Sequence, residues 1–254
     1  MNTQSMKIGF LAALALAAVG CGTKEAAGPL EAGPAGRLRF VNLVTDPARV
    51  PVNAILEGVP FGVNLGYTGT TPASLPSPAT ANYSPILTGA RTLVLKKTAD
   101  TSVTVASIAV TINTGEDRTV YATGGTGGAV VTAFSTADAN PLPTSAQVAL
   151  RIVNMSPSAG ALDYFVTAPN ADLSAATPTA ANVAYQGSSA YVMLPPGTYQ
   201  VRAVPAGTLP AARSANISVT INNLALAGGT GRTVVTADKA AGGTPIVAFV
   251  LSDR

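Results

Sequence analysis

The sequence contains no histidine, no tryptophan and a single cysteine, and only 11% of its residues are charged. Without an imidazole there is no Ser-His-Asp or Cys-His triad and no His-ligated zinc or haem. One cysteine allows no internal disulfide. Ordinary soluble domains carry about 25% charged residues. Here a net charge of +3 is spread along the chain without a Lys/Arg cluster and among few aromatic residues, which argues against nucleic acid as a partner. Apolar residues are plentiful, at 47% of 254, with 25 glycines and 19 prolines, enough for one large or two small domains.

The N-terminus reads as an export signal. Lys7 supplies the positive charge and Ile8 to Val19 the apolar run, which is shorter than the about 20 residues a membrane-spanning helix needs. Met1 and Met6 are equally good starts. The run ends in Ala18-Val19-Gly20-Cys21, which resembles the lipobox of bacterial lipoproteins, although Ala18 stands where leucine is usual. The resemblance implies cleavage between Gly20 and Cys21 and acylation of the Cys21 thiol. The alternative, an ordinary signal peptide, leaves an unpaired thiol in an exported chain. Each buried CH₂ contributes about 0.8 kcal/mol, so two or three acyl chains make a durable anchor where one is marginal. Gly22, rather than aspartate, after the cysteine favours the outer membrane if the host is Gram-negative. Residues 21–36 read as the lipidated cysteine and a Gly/Pro/Ala tether.

From Arg37 the pattern is period-two and β-branched, with strand-like runs at 37–42, 50–56, 92–97, 101–112, 118–123 and 129–134, punctuated by Gly, Pro, Asp and Asn. The Ala-rich stretch Ala171–Ala184 is the best helix candidate, but Pro178 and its threonines spoil it. The series then repeats at an offset near 110 residues. Leu38-Arg-Phe-Val-Asn42 returns as Leu150-Arg-Ile-Val-Asn154, Ala109-Val-Thr-Ile-Asn113 as Ser218-Val-Thr-Ile-Asn222, and Val131-Thr-Ala-Phe134 with Asp138 as Ile246-Val-Ala-Phe249 with Asp253. About seven short strands per copy is an immunoglobulin-like signature without the disulfide. The chain is therefore expected to be all-β, with one sandwich over 37–138, a linker over 139–146 and a second sandwich over 147–254, each burying its own core.

Arg39 to Ala48 and Arg151 to Gly160, each followed by a strand, together with Leu194-Pro-Pro-Gly-Thr-Tyr-Gln-Val201, resemble the bacterial "domain of unknown function 4397" family in two copies. Copies of that family often carry histidine where Asn42 and Asn154 stand, so any role of that histidine is absent. The resemblance implies an exported β-sandwich protein, usually a lipoprotein, with no established activity.

Candidate sites reduce to turns and packing. Gly124-Gly-Thr-Gly-Gly128 and Gly228-Gly-Thr-Gly-Arg-Thr233 invite a phosphate-loop reading, but Leu226 and Arg232 stand where a Walker loop needs Gly and Lys, and no helix follows. Hairpin turns account for both, and no nucleotide is expected. Glu116-Asp117, Asp46, Asp163, Asp138 and Asp253 read as turn residues rather than the six to eight oxygens of a calcium site. Tyr199 resembles a core or corner tyrosine, and Tyr185 and Tyr191 read as packing rather than ligand stacking. Lys96-Lys97 reads as a charge that blunts a sheet edge. The expectation is a non-catalytic, lipid-anchored envelope protein, structural or binding, with no cofactor and no metal. The alternative is an interaction subunit that docks a partner protein or glycan through sandwich loops or an edge strand.

Overall fold

A computed structural model of the chain describes residues 33–72 and 82–253. The signal peptide, Gly20, Cys21 and most of the tether lie outside the described residues. Among the described residues no helix is long and apolar enough to cross a membrane.

The first repeat is a sandwich of two sheets. Its outer sheet has the order β3-β2-β6-β7, built from β2 (Val52–Leu56), β3 (Val59–Leu65), β6 (Gly89–Lys97) and β7 (Asp100–Ile112). Its inner sheet has the order β4-β1-β8-β9, from β1 (Ala35–Val44), β4 (Thr70–Thr71), β8 (Asp117–Gly124) and β9 (Val131–Asp138), with β5 (Ser84–Leu87) also on β1. The second repeat follows the same plan. β10 (Val148–Met155) lies between β17 (Thr230–Ala237) and the short strands β13 (Gly187–Ser188) and β14 (Val192–Leu194), with β18 (Val247–Ser252) at the edge beyond β17. The outer sheet has the order β12-β11-β15-β16, from β11 (Leu162–Thr167), β12 (Ala180–Val183), β15 (Gly197–Pro205) and β16 (Val219–Leu226). In each repeat the first strand runs parallel to its neighbour, β1 with β8 and β10 with β17, and every other pair is antiparallel. The fold is all-β, two immunoglobulin-like sandwiches in tandem.

Alternation places the cores. Leu38, Phe40 and Val44 of β1 and Val120 and Ala122 of β8 face Val52, Ala54, Leu93 and Leu95 of the outer sheet. Val148, Leu150 and Ile152 of β10 face Leu162, Tyr164, Val201 and Ala203 in the same way. The other face of each inner sheet is buried as well. Val41, Leu43 and Tyr121 from the first repeat join Val153, Met155, Val235, Ala237 and Leu251 from the second in one buried cluster. Each repeat therefore has its own core, and a third core lies between them. Strands covered on both faces read as near-continuous apolar runs, and β10 is buried at all eight positions.

Several elements differ from the sequence expectation. The tether ends before Gly36, because Ala35 and Gly36 already pair with Leu87 and Ile86. The Ala171–Ala184 stretch, in keeping with Pro178 and its threonines, forms no helix and ends in β12; the longest helical segment among the described residues is a 3₁₀ turn at Pro210–Ala215. The linker does not hang free. Asn140 is buried, and the turn at Gly228 sits so close to it that a Cβ there would lie 1.8 Å from the Ser145 carbonyl. The repeats also differ on their outer faces. Phe165 and Val204 are covered by Leu173, and Arg213 lies 4.9 Å over the Phe165 ring, whereas Ile55 and Val94, at the positions matching Phe165 and Arg202, are half-exposed.

Candidate functional site

The seam between the inner sheets gathers four buried charges, Arg39, Asp138, Arg151 and Asp253. Arg39 on β1 and Arg151 on β10 are both nearly inaccessible, at 2% and 3% exposure. Each pairs with the aspartate that closes the other repeat: Arg39 Nη2 lies 2.8 Å from Asp253 Oδ1, and Arg151 Nη1 lies 2.6 Å from Asp138 Oδ1. Each arginine also donates to a threonine of its own repeat, Thr119 at 3.0 Å and Thr233 at 3.2 Å. Those threonines donate to Asp138 and Asp253 respectively. Tyr83 donates to Asp138 at 2.8 Å, and the Tyr191 hydroxyl lies 3.0 Å from Asp253. Each ring carries its own repeat's guanidinium, Arg39 at 4.5 Å over Tyr83 and Arg151 at 4.9 Å over Tyr191. The whole set is preserved when the repeats are exchanged.

A buried ion pair pays heavily for desolvation unless hydrogen bonds satisfy the remaining lone pairs and protons. This network meets that condition. Thr136 adds a further donor to Asp138 at 2.6 Å, and the Ser252 carbonyl accepts from Arg39 at 2.9 Å. At the opposite end of the seam the contacts again cross between repeats: the Tyr67 hydroxyl donates to the Asp238 carbonyl, Tyr185 and Thr132 share a hydrogen bond at 2.9 Å, and Thr123 donates to the Met155 carbonyl.

Burial, the largest influence, pushes the Tyr121 phenol up to about 12 against the pull of Arg151 and Arg39. Burial also raises Tyr83 and Tyr191 well above the ordinary range, with the two aspartates adding to the effect. The fold thus favours the neutral phenols. The Tyr121 contribution is intact below pH 10, the ordinary tyrosine value, and is lost as pH rises from there towards about 12; those of Tyr83 and Tyr191 also begin to be lost above pH 10. The expected result is alkaline unfolding in that window, at about 1.4 kcal/mol per pH unit per tyrosine. It is read by circular dichroism alongside phenolate absorbance. The Tyr121 hydroxyl is buried with no hydrogen-bond partner among the described residues. Tyr121→Phe is therefore expected to be neutral or to stabilise by up to about 1 kcal/mol in urea unfolding.

The other sequence candidates fall elsewhere. Gly124 to Gly128 form a hairpin turn with Gly125 at φ 93°, and Gly229 sits in a second turn at φ 75°. Asp46 accepts from the Ala48 amide and pairs with Arg49, while Asp163 accepts from the amides of Asn182 and Gly207. Asp117 pairs with Arg37 through both oxygens at 2.6 Å. Among the described residues no three or more His, Cys, Asp or Glu gather as a metal site. Tyr199 donates to the Pro195 carbonyl at 2.7 Å, and Lys96 donates to Thr104 beside it on β7. Asn42 and Asn154 each donate to the equivalent carbonyl, Leu65 and Val183, and each to one further carbonyl that differs between the repeats, Gly66 and Gly160.

Two clefts remain. One of about 400 Å³ is lined by Thr179, Asn182, Ser188, Ser189 and Val192 and has no aromatic or charged side chain. The other, about 330 Å³, opens at the seam between Arg39, Thr70, Asn82, Phe249 and Ser252.

The profile of the family described as "Domain of unknown function (DUF4397)" matches residues 36–165, just over half of the chain. The chain belongs to the DUF4397 family. The match is single where two were expected: it takes in β1 to β10 and ends inside β11. It therefore includes Arg39, Asp138 and Arg151 of the seam but neither Tyr191 nor Asp253. No curated protein matches the chain. Among solved structures, a carbohydrate-binding module of family CBM26 from Eubacterium rectale Amy13K, in complex with maltoheptaose, matches at 9% identity and a TM-score of 0.25. That match covers 85% of this chain and 96% of the other. At that score the likeness says nothing about a ligand.

Proposed function

We propose that this DUF4397 protein is a non-catalytic, lipid-anchored protein of the cell envelope, a structural or binding module whose two sandwiches act as one body. The observation that carries this reading is the closed seam. Asp138, Asp253, Arg39 and Arg151 are consumed in pairing one another, and the tyrosines beside them are held neutral, so these buried ionisable groups work in assembly. Residues 147–254 are read as a second copy of the family unit, supported by the repeated strand order. The membrane is the first partner, through Cys21, with the outer membrane as the address in a Gram-negative host. No nucleic acid, nucleotide, cofactor or metal enters this reading.

The anchor is tested by Cys21→Ser. The variant is expected to move from the membrane pellet to a soluble exported or unprocessed form and to lose all incorporation of labelled fatty acid. Equal labelling of both forms refutes the assignment. A second reading, docking of an envelope protein or glycan, is favoured by β7, a thirteen-residue strand that among the described residues pairs only with β6 and leaves Val103 exposed. Affinity capture from envelope extract, with bound material identified by mass, separates a binding role from a spacer.

A further inference from the structure

We infer that the end of the double sandwich formed by the starts of β1 and β10 is a membrane-facing surface that rests on anionic lipid headgroups. The inference rests on the lipid-anchor reading above and adds to it an orientation.

The chain enters the sandwiches at Pro34, whose carbonyl accepts from the Thr88 amide. Strand direction fixes what else lies at that end. β8 runs parallel to β1, so its first residue, Asp117, is at the entry end and the Gly124–Val131 hairpin is at the far end. β9 returns to the entry end at Asp138, and the pairing of Arg151 with Asp138 sets the start of β10 there too. Residues 139–147 consequently cross the entry end, where the Thr144 and Gln147 carbonyls accept from the Gly229 amide just before β17. Cys21 to Gly33 is thirteen residues, a reach of at most about 45 Å even when fully extended. An acylated Cys21 therefore keeps this end within a short distance of the bilayer.

The composition of that end suits a headgroup surface. Leu142, in the crossing segment, is 78% exposed, with Leu87 paired to Ala35 at 40% and Met193 paired to Ala149 at 42%. Arg37 and Arg118, paired with Asp117 and Glu116, lie at this level with Arg91 and Arg232, and Glu57 is slightly further in, so that arginine exceeds carboxylate by one charge. Arg91 is held on the Leu87 and Thr88 carbonyls, beside the exposed leucine. Exposed apolar side chains among an excess of arginine favour insertion at an anionic interface.

The test uses the full, acylated chain in vesicles of phosphatidylethanolamine and phosphatidylglycerol that carry a doxyl-labelled quencher lipid. Cys21 is blocked by acylation, so Leu142→Cys and Val130→Cys each offer one thiol for an environment-sensitive dye. Val130 is the matched control, 82% exposed at the far end. The expected result is quenching severalfold stronger at 142 than at 130, weakened by high salt as the arginines are screened. Equal or absent quenching at both positions, with fatty acid shown to be incorporated, overturns the orientation and leaves the anchor standing. Stronger quenching at 130 also overturns it. A chain that takes up no fatty acid overturns the orientation and the anchor together.

Discussion

Asp138→Ala is expected to destabilise the protein by about 3–5 kcal/mol, the usual cost of removing one partner of a buried ion pair. Asp138 accepts from Arg151, Tyr83, Thr136 and Thr119, and its loss leaves the Arg151 guanidinium at 3% exposure with no counter-charge, held only by Thr233 and the face of the Tyr191 ring among the described residues. In a body of this size each kcal/mol shifts Tm by about 2–4 °C, so the melting point should fall by roughly 6–20 °C. Asp253→Ala should cost a similar amount, because exchanging the repeats maps one site onto the other. The paired replacement of Asp138→Leu with Arg151→Met should recover most of the loss, since the penalty lies in the uncompensated charge. Urea unfolding of the four proteins checks this. A loss below 1 kcal/mol in Asp138→Ala would mean that the seam is hydrated and the pair is only a surface contact.

The sandwiches were legible in the sequence because each outward position alternates with an inward one, as at Asn53-Ala54-Ile55-Leu56. The seam was not, because the sequence places its charges where charges normally meet water. Arg39 alternates with Leu38 and Phe40, so period-two reading sends it outward, and outward here means into the second repeat. A signal was present: Val41, Leu43, Val153 and Met155 are apolar on the parity opposite to Leu38, Phe40, Leu150 and Ile152, as in a strand buried on both faces. Asp138 and Asp253 match as repeats yet read as turn residues, because nothing in one sequence says which strand end faces which arginine. β3 was missed for a local reason. Pro60, Gly62 and Asn64 read as breakers, but β3 is an edge strand, where an absent amide and a left-handed Asn64 are tolerated.

The seam makes a second large effect expected when the repeats are parted. Introducing a protease site at exposed Leu142 and cutting there should leave the halves associated, eluting together from gel filtration at micromolar concentration. Full burial contributes about 1.5–3 kcal/mol per large apolar side chain, so Val41, Leu43, Val153, Met155, Val235 and Leu251 together supply on the order of 10 kcal/mol or more. That is set against about 4–15 kcal/mol for the lost freedom of two separate bodies. Each half keeps its own core, so residues 34–140 and 143–254 made separately should still unfold cooperatively. Each will expose an apolar inner face and lose the cross-repeat partners of its arginine and aspartate, and at about 4–8 °C per kcal/mol a loss of roughly 2–3 kcal/mol lowers its melting point by more than about 8 °C. Mixing the two halves should restore part of that loss. Halves that melt as the intact chain does, and drift apart once cut, would reduce the seam to a contact between independent domains and remove the physical basis for reading the two sandwiches as one body.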